Sequence, residues 1–230
     1  FLCVSQMGPR KNLENTIKWF VEEFIDQEVG LVLKSNLKSN SVIDKEHIEA
    51  SLSSLLATYP ERKCSVSLLH GDLSEGQMRA LYEHDKVKAM VNISHGEGFG
   101  LPLFEAARSA LPIITVGWSG QMDFLTFENK DYFSKVKHEL KQVQQSVVWA
   151  GVIEADSMWA YADQGSYKMA LRQMFKKYDG FVKQAKELQK LVNANFSDEV
   201  LFEGFVGQFL EHSSSESWTS EIEDIIKEYE

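Results

Sequence analysis

The stretch Val91-Asn92-Ile93-Ser94-His95-Gly96-Glu97-Gly98-Phe99-Gly100-Leu101-Pro102-Leu103-Phe104-Glu105 decides how the chain is read. Apolar residues from Ala89 to Ile93 have strand character, three glycines follow at alternate positions, and Pro102 takes the first position of a predicted helix. Strand, Gly-rich loop and helix start form a β–α junction, and in an open parallel sheet ligands bind at such junctions. Glycine allows positive φ and a close backbone approach, proline there sacrifices no needed N–H, and a helix start presents unpaired N–H groups to an anion. A phosphate is the expected guest. Glu97 lies in the loop and Glu105 about one turn into the helix, so they do not form a general acid/base pair on one face. An ionised carboxylate only accepts hydrogen bonds, which makes hydroxyls its natural partners. From the residues alone two accounts stay open. One is a sugar-nucleotide site, with hydroxyls at both ends and phosphates between; the other is acidic residues favoured near a helix start, beside glycines that merely turn the chain.

Outward from this segment, short apolar runs alternate with amphipathic helical patterns, the sequence form of a parallel sheet with helical crossovers. Phe1 to Ser5, Val29 to Leu33, Ser65 to Leu69, Ala89 to Ile93 and Ile113 to Val116 read as strands. Between them, Asn12 caps a helix carrying Leu13, Ile17, Phe20, Val21 and Phe24 at helical spacing, and Asp44 to Thr58 forms another. Ser74 with Gln77 is a capping-box signature before Met78, Leu81 and Tyr82. Beyond about Phe127 the strand signal fades, and the remainder to Glu211 is expected to be mostly helical. The predicted fold is therefore α/β, a Rossmann-like parallel sheet flanked by helices with a helical C-terminal portion. Residues 1–211 are expected to form this domain, which the resemblance described below makes a nucleotide-sugar-binding one, and 212–230 a Ser-rich connector followed by an acidic amphipathic helix from Trp218 to Tyr229. The chain opens on Phe1 inside a strand-like run, which reads as a fragment.

A net charge of -10 argues against general affinity for nucleic acid or anionic membrane, so a phosphate must be met by a few local cations. Cys3 and Cys64 sit in apolar segments and read as small buried hydrophobes in a reducing compartment. No run of about 18 apolar residues and no signal-peptide pattern occurs, so a cytoplasmic location is expected. The glycine spacing departs from the dinucleotide fingerprint, no Gly-x4-Gly-Lys-Ser/Thr loop exists, and no Asp-x-Asp pair offers itself to a metal-bound diphosphate. Metal-independent binding is the expectation.

Glu97-Gly98-Phe99-Gly100-Leu101-Pro102, then Glu105-Ala106, resembles the Glu-x7-Glu motif of retaining glycosyltransferases of the GT-B fold, family 4 in particular. Flanking segments agree in order. Ser5 to Leu13 resembles the family's first strand–loop–helix, where basic residues meet the donor diphosphate. Leu69-His70-Gly71-Asp72-Leu73-Ser74 resembles the loop lying against the nucleobase, and Leu111 to Val116 resembles the strand after the motif helix.

The resemblance implies a donor half that holds a nucleotide-diphosphate sugar. Glu105 would take the ribose hydroxyls and Glu97 those of the transferred sugar. Lys11 would neutralise the leaving phosphate, and the backbone around Gly98, Phe99, Gly100 and Leu101 would meet the diphosphate. His70 and Leu73 would lie by the nucleotide, and His95 beside the sugar or phosphate. The family's usual Arg after the first strand is replaced by Gln6, so either Arg10 compensates or diphosphate binding weakens. The resemblance also places a glycan or other acceptor, and any peripheral membrane association, on an N-terminal half that is missing here. A non-catalytic nucleotide-sugar module and a sugar-nucleotide epimerase of the same fold are the alternatives.

Overall fold

The computed structural model describes residues 1–213; the Ser-rich stretch from 214 and the expected Trp218–Tyr229 helix lie outside the described residues. The chain divides into two compact units, 1–189 and 190–230, and every site residue named above belongs to the first.

Six parallel strands make the main sheet: β1 (Leu2–Val4), β2 (Gly30–Lys34), β3 (Ser65–Leu69), β4 (Met90–Asn92), β5 (Ile113–Val116) and β8 (Ser134–Val136). Their order across the sheet is β3-β2-β1-β4-β5-β8. Helices α1 (Leu13–Glu23), α2 (Val42–Ala57), α3 (Glu75–Tyr82) and α4 (Leu101–Arg108) supply the crossovers, and α5 (Met122–Leu125) is a single turn after β5. The central strands are buried on both faces, which is why they read as continuous apolar runs. Cys3 and Cys64 are buried free thiols in this core, and burial pushes the Cys3 thiol up to about 12.

The capping box forms as its sequence signature requires, with Ser74 accepting from the Gln77 N–H and Gln77 from the Ser74 N–H. Asn12 occupies the N-cap of α1 in left-handed conformation, but its side chain makes no cap bond. Instead Nδ2 donates to the Ile93 carbonyl at 3.0 Å and ties the β1–α1 loop to the end of β4.

The expectation of a mostly helical remainder beyond Phe127 fails between 126 and 162. There the chain makes β6 (Thr126–Phe127) with β7 (Lys130–Asp131), then β8 as an edge strand of the sheet. An antiparallel pair follows, β9 (His138–Gln142) with β10 (Met158–Ala162). These strands are short, and β9 is polar and largely exposed, so neither length nor alternation announced them. Helices resume with α6 (Gln164–Lys176), α7 (Tyr178–Asn195) and α8 (Asp198–Ser213). Helix α6 lies along α1, where Arg172 makes a bidentate pair with Glu23 at 2.7 Å.

Candidate functional site

Strand order reverses between β1 and β4: successive strands run from β1 to β3 on one side and continue from β4 on the other. At such a switch the loops leaving adjacent strand ends diverge and open a crevice. The β1–α1 and β4–α4 loops meet there. The His95 N–H donates to the Arg10 carbonyl at 2.8 Å, and the Arg10 guanidinium donates to the Gly96 carbonyl.

Glu97 lies where these loops converge. Lys11 Nζ donates to both carboxylate oxygens, at 2.8 and 2.6 Å, Asn92 Nδ2 to Oε1 at 3.3 Å, and Arg10 to Oε2 at 3.4 Å. Burial works to raise this carboxyl's pKa, but the Lys11 hydrogen bond and charge, helped by Asn92, outweigh it and hold the group below the usual range. A carboxylate only 6% exposed therefore stays ionised.

The motif backbone is held from below. Ser119 Oγ donates to the Glu97 carbonyl at 2.7 Å and accepts from the Glu97 N–H at 3.2 Å, and the Gly120 N–H donates to the same carbonyl at 3.0 Å. A Cβ on Gly120 would fall 1.9 Å from the Gly98 oxygen, so only glycine allows this approach. Of the three motif glycines, Gly100 alone has positive φ, 89°, as the N-cap of α4. Pro102 is the second residue of that helix rather than the first. The N–H groups of Gly98, Phe99 and Gly100 have no acceptor among the described residues, which suits an anion. Phe99 packs on Phe104 and Phe124, and Leu101 is exposed.

His95 is positioned by a strand that the sequence did not announce. Its Nδ1 lies 2.8 Å from the Ala160 carbonyl, while the Ala160 N–H donates to the His95 carbonyl at 3.0 Å. Trp159 stacks on the imidazole and Tyr161 lies against it, with centroids 5.3 and 4.4 Å away. Because a carbonyl only accepts, Nδ1 carries the proton. In the neutral ring Nε2 is then an acceptor, without a partner among the described residues. Burial lowers the His95 pKa, against a smaller opposing effect of the Ala160 bond, and favours that neutral ring.

A cavity of about 250 Å³ opens beside the crevice, at the C-terminal ends of β1, β2 and β3. Gln6, Lys34, Asp72, Leu73, Met78 and Pro102 are among its lining residues. Gln6 donates from Nε2 to the Leu37 carbonyl at 2.7 Å, so the amide braces the cavity wall. Glu105 accepts from the buried Tyr82 hydroxyl at 2.8 Å. His70 does not line this cavity; its Nε2 is buried and unpartnered among the described residues. Leu73 and Gln6 thus line one cavity, and Lys11, Arg10 and Glu97 meet directly. Tyr82, Trp159, Ala160 and Tyr161 were missed, because nothing local marks them.

A glycosyltransferase from Rickettsia africae ESF-5 superposes with a TM-score of 0.64 at 12% identity, covering 93% of this chain and 48% of that one. Anabaena Alr3699/HepE in complex with UDP and glucose does so with a TM-score of 0.58 at 14% identity, covering 92% and 48%. The fold is α/β and Rossmann-like, and it matches one half of the GT-B fold of these proteins. In sequence, the chain is 32% identical over 117 residues to the serotype-specific mannosyltransferase WbdA of Escherichia coli, a match covering 50% of the chain and 13% of WbdA. No family model matches the chain. Among the described residues, no helix is long and apolar enough to cross a membrane.

Proposed function

We propose that the chain is the donor-binding half of a retaining, family 4 type glycosyltransferase of glycan or polysaccharide synthesis, which holds a nucleotide-diphosphate sugar without a metal. The observation that carries this reading is the convergence of Lys11 and Arg10 on Glu97 at the crevice between β1 and β4. Three charged groups there share one small volume at the end of a parallel sheet, beside unpaired backbone donors. A diphosphate entering the crevice exchanges for part of the Lys11–Glu97 pairing. Lys11 then faces phosphate, and Glu97 is released to accept sugar hydroxyls. His95 Nε2 accepts a further hydroxyl of the sugar, and Glu105 takes the ribose.

In the transfer, the bond from the anomeric carbon to the phosphate oxygen breaks as the acceptor oxygen bonds to that carbon on the same face. The acceptor's proton passes to a departing phosphate oxygen. Charge develops on the nucleoside diphosphate, and Lys11 with the Gly98–Gly100 N–H groups stabilises it in place. The acceptor, and any peripheral contact with a membrane, belong to the other half of the enzyme, in the cytoplasm.

Calorimetry with UDP, GDP and ADP, and with the corresponding sugars, tests this reading. A mannosyl donor comes first because the matched relative is a mannosyltransferase. Glu105→Ala is expected to weaken bare nucleotide binding by about 1.5 to 3 kcal/mol. Glu97→Ala leaves the bare nucleotide unchanged or tighter but lowers affinity for the nucleotide sugar. The reverse order overturns the assignment.

A further inference from the structure

We propose that Tyr82 is the positioning residue of the ribose-binding carboxylate: its buried hydroxyl holds Glu105 so that the carboxylate accepts ribose hydroxyls and selects ribose over deoxyribose. The proposal rests on the reading of Glu105 given above. Tyr82 ends α3, is 2% exposed, and donates to Glu105 Oε2 at 2.8 Å. Its only route to a ligand is through that carboxylate.

Two further observations point the carboxylate towards the cavity. Met78, one turn before Tyr82 on α3, and Pro102, one turn before Glu105 on α4, both line the 250 Å³ space. The Tyr82–Glu105 bond therefore lies one helical turn beyond the cavity edge on both helices. Helical side chains lean towards the N-terminus of their helix, which carries the Glu105 carboxylate back towards Pro102 and the cavity. The residue is half-buried, so the carboxylate is not sealed off by Tyr82.

The chemistry follows from the inventory of acceptor sites. An ionised carboxylate has about four lone-pair positions, of which the tyrosine takes one and leaves the others for donors. The last torsion of a glutamate is broad, so a carboxylate without such a tie samples many orientations. Burial first, then the charge and hydrogen bond of Glu105, drive the phenol pKa up, so Tyr82 remains a donor throughout the useful pH range.

The test pairs Tyr82→Phe with the tightest binder among UDP, GDP and ADP and with its 2′-deoxy counterpart. Phenylalanine keeps the ring that fills the core and removes only the hydroxyl. Wild type is expected to prefer the ribonucleotide. Tyr82→Phe should weaken the ribonucleotide about three- to tenfold and the deoxynucleotide, which keeps only the 3′-hydroxyl as a donor to Glu105, by less, so the preference shrinks. An equal loss for both nucleotides, or no loss for either, overturns the proposal. Glu105→Ala, with thermal denaturation confirming that it folds despite leaving the buried Tyr82 hydroxyl unpaired, separates the two levels. If it does not weaken the ribonucleotide, the reading of Glu105 itself fails; if it does while Tyr82→Phe leaves the preference intact, only the role of Tyr82 fails.

Discussion

The two ends of the main sheet differ in a way that runs against cavity size. At the N-terminal strand ends lies the larger space, about 810 Å³, with Phe1, Val29, Met174, Phe175 and Tyr178 in its walls. At the C-terminal ends the cavity is only about 250 Å³, yet the loops that leave β1 and β4 at that end carry an ion-paired carboxylate, unpaired backbone N–H groups and an oriented imidazole. Volume measures missing packing, whereas a site for a polar, charged ligand requires convergent polar groups held against relaxation. The proposed site therefore takes the smaller cavity.

The harshest way to break this comparison is to put a methyl group at each end. Gly120→Ala brings a Cβ to 1.9 Å from the Gly98 oxygen, and the motif loop has to move. A destabilisation of about 1 to 3 kcal/mol, seen in thermal denaturation, and loss of measurable nucleotide-sugar binding are expected. Gly30→Ala, in the wall of the larger cavity, meets only the Ser65 hydroxyl at 3.3 Å and should leave binding intact. Equal effects at both ends would remove the distinction.

Charge deletion sharpens it. Lys11→Ala should weaken nucleoside diphosphate binding by about 1.5 to 3 kcal/mol, while Lys88→Ala at the larger cavity leaves the titration unchanged. A loss on Lys88→Ala instead would move the site to the other end of the sheet.

The switch point also predicts a pH signature. His95 has a folded-state pKa below its ordinary 6.5, so the unfolded chain takes up the proton first as pH falls. Its neutral form therefore contributes full stability above pH 6.5, and that contribution is lost as pH falls from 6.5 towards the folded value. Glu97, depressed below 4.5, adds a second loss only further into acid, as pH falls from 4.5 through its folded value. Urea denaturation between pH 8 and 5 should show a decline below pH 6.5 that is steeper than in His95→Gln by at most about 1.4 kcal/mol per pH unit. The same slope in both proteins would mean that the ring is not held neutral by its contacts.

The smallest expected effect is at Gln6. An arginine there would face the same cavity with a permanent charge, and charge-assisted bonds are roughly twice as strong as neutral ones. Gln6→Arg should tighten nucleoside diphosphate binding by about 1 kcal/mol, somewhat under tenfold, with the gain shrinking as salt rises. Equal or weaker binding at low and high salt would mean that the tie to Leu37 matters more than the added charge.

How far the sequence could be read depends on the range of the interaction that decides each feature. The β–α alternation up to Val116, the capping box at Ser74 and the Gly-rich turn before Pro102 were legible, because periodicity, caps and glycine conformations act within a few residues. The hairpin of His138–Gln142 with Met158–Ala162 was not. Its first strand carries three charged or ionisable side chains and one leucine, and its order comes from pairing with a distant strand and docking on His95. The candidate site divides in the same way. Residue types and spacing picked out Glu97 and Glu105, and the family resemblance added Lys11, but Lys11 meets Glu97 across a separation of 86 residues and Glu105 meets Tyr82 across 23. The occupant of each lone pair, and hence which carboxylate is braced and which imidazole nitrogen accepts, follows from loops brought together at the reversal of strand order. Only the folded sheet brings those loops together, because their meeting depends on contacts between elements far apart in the chain.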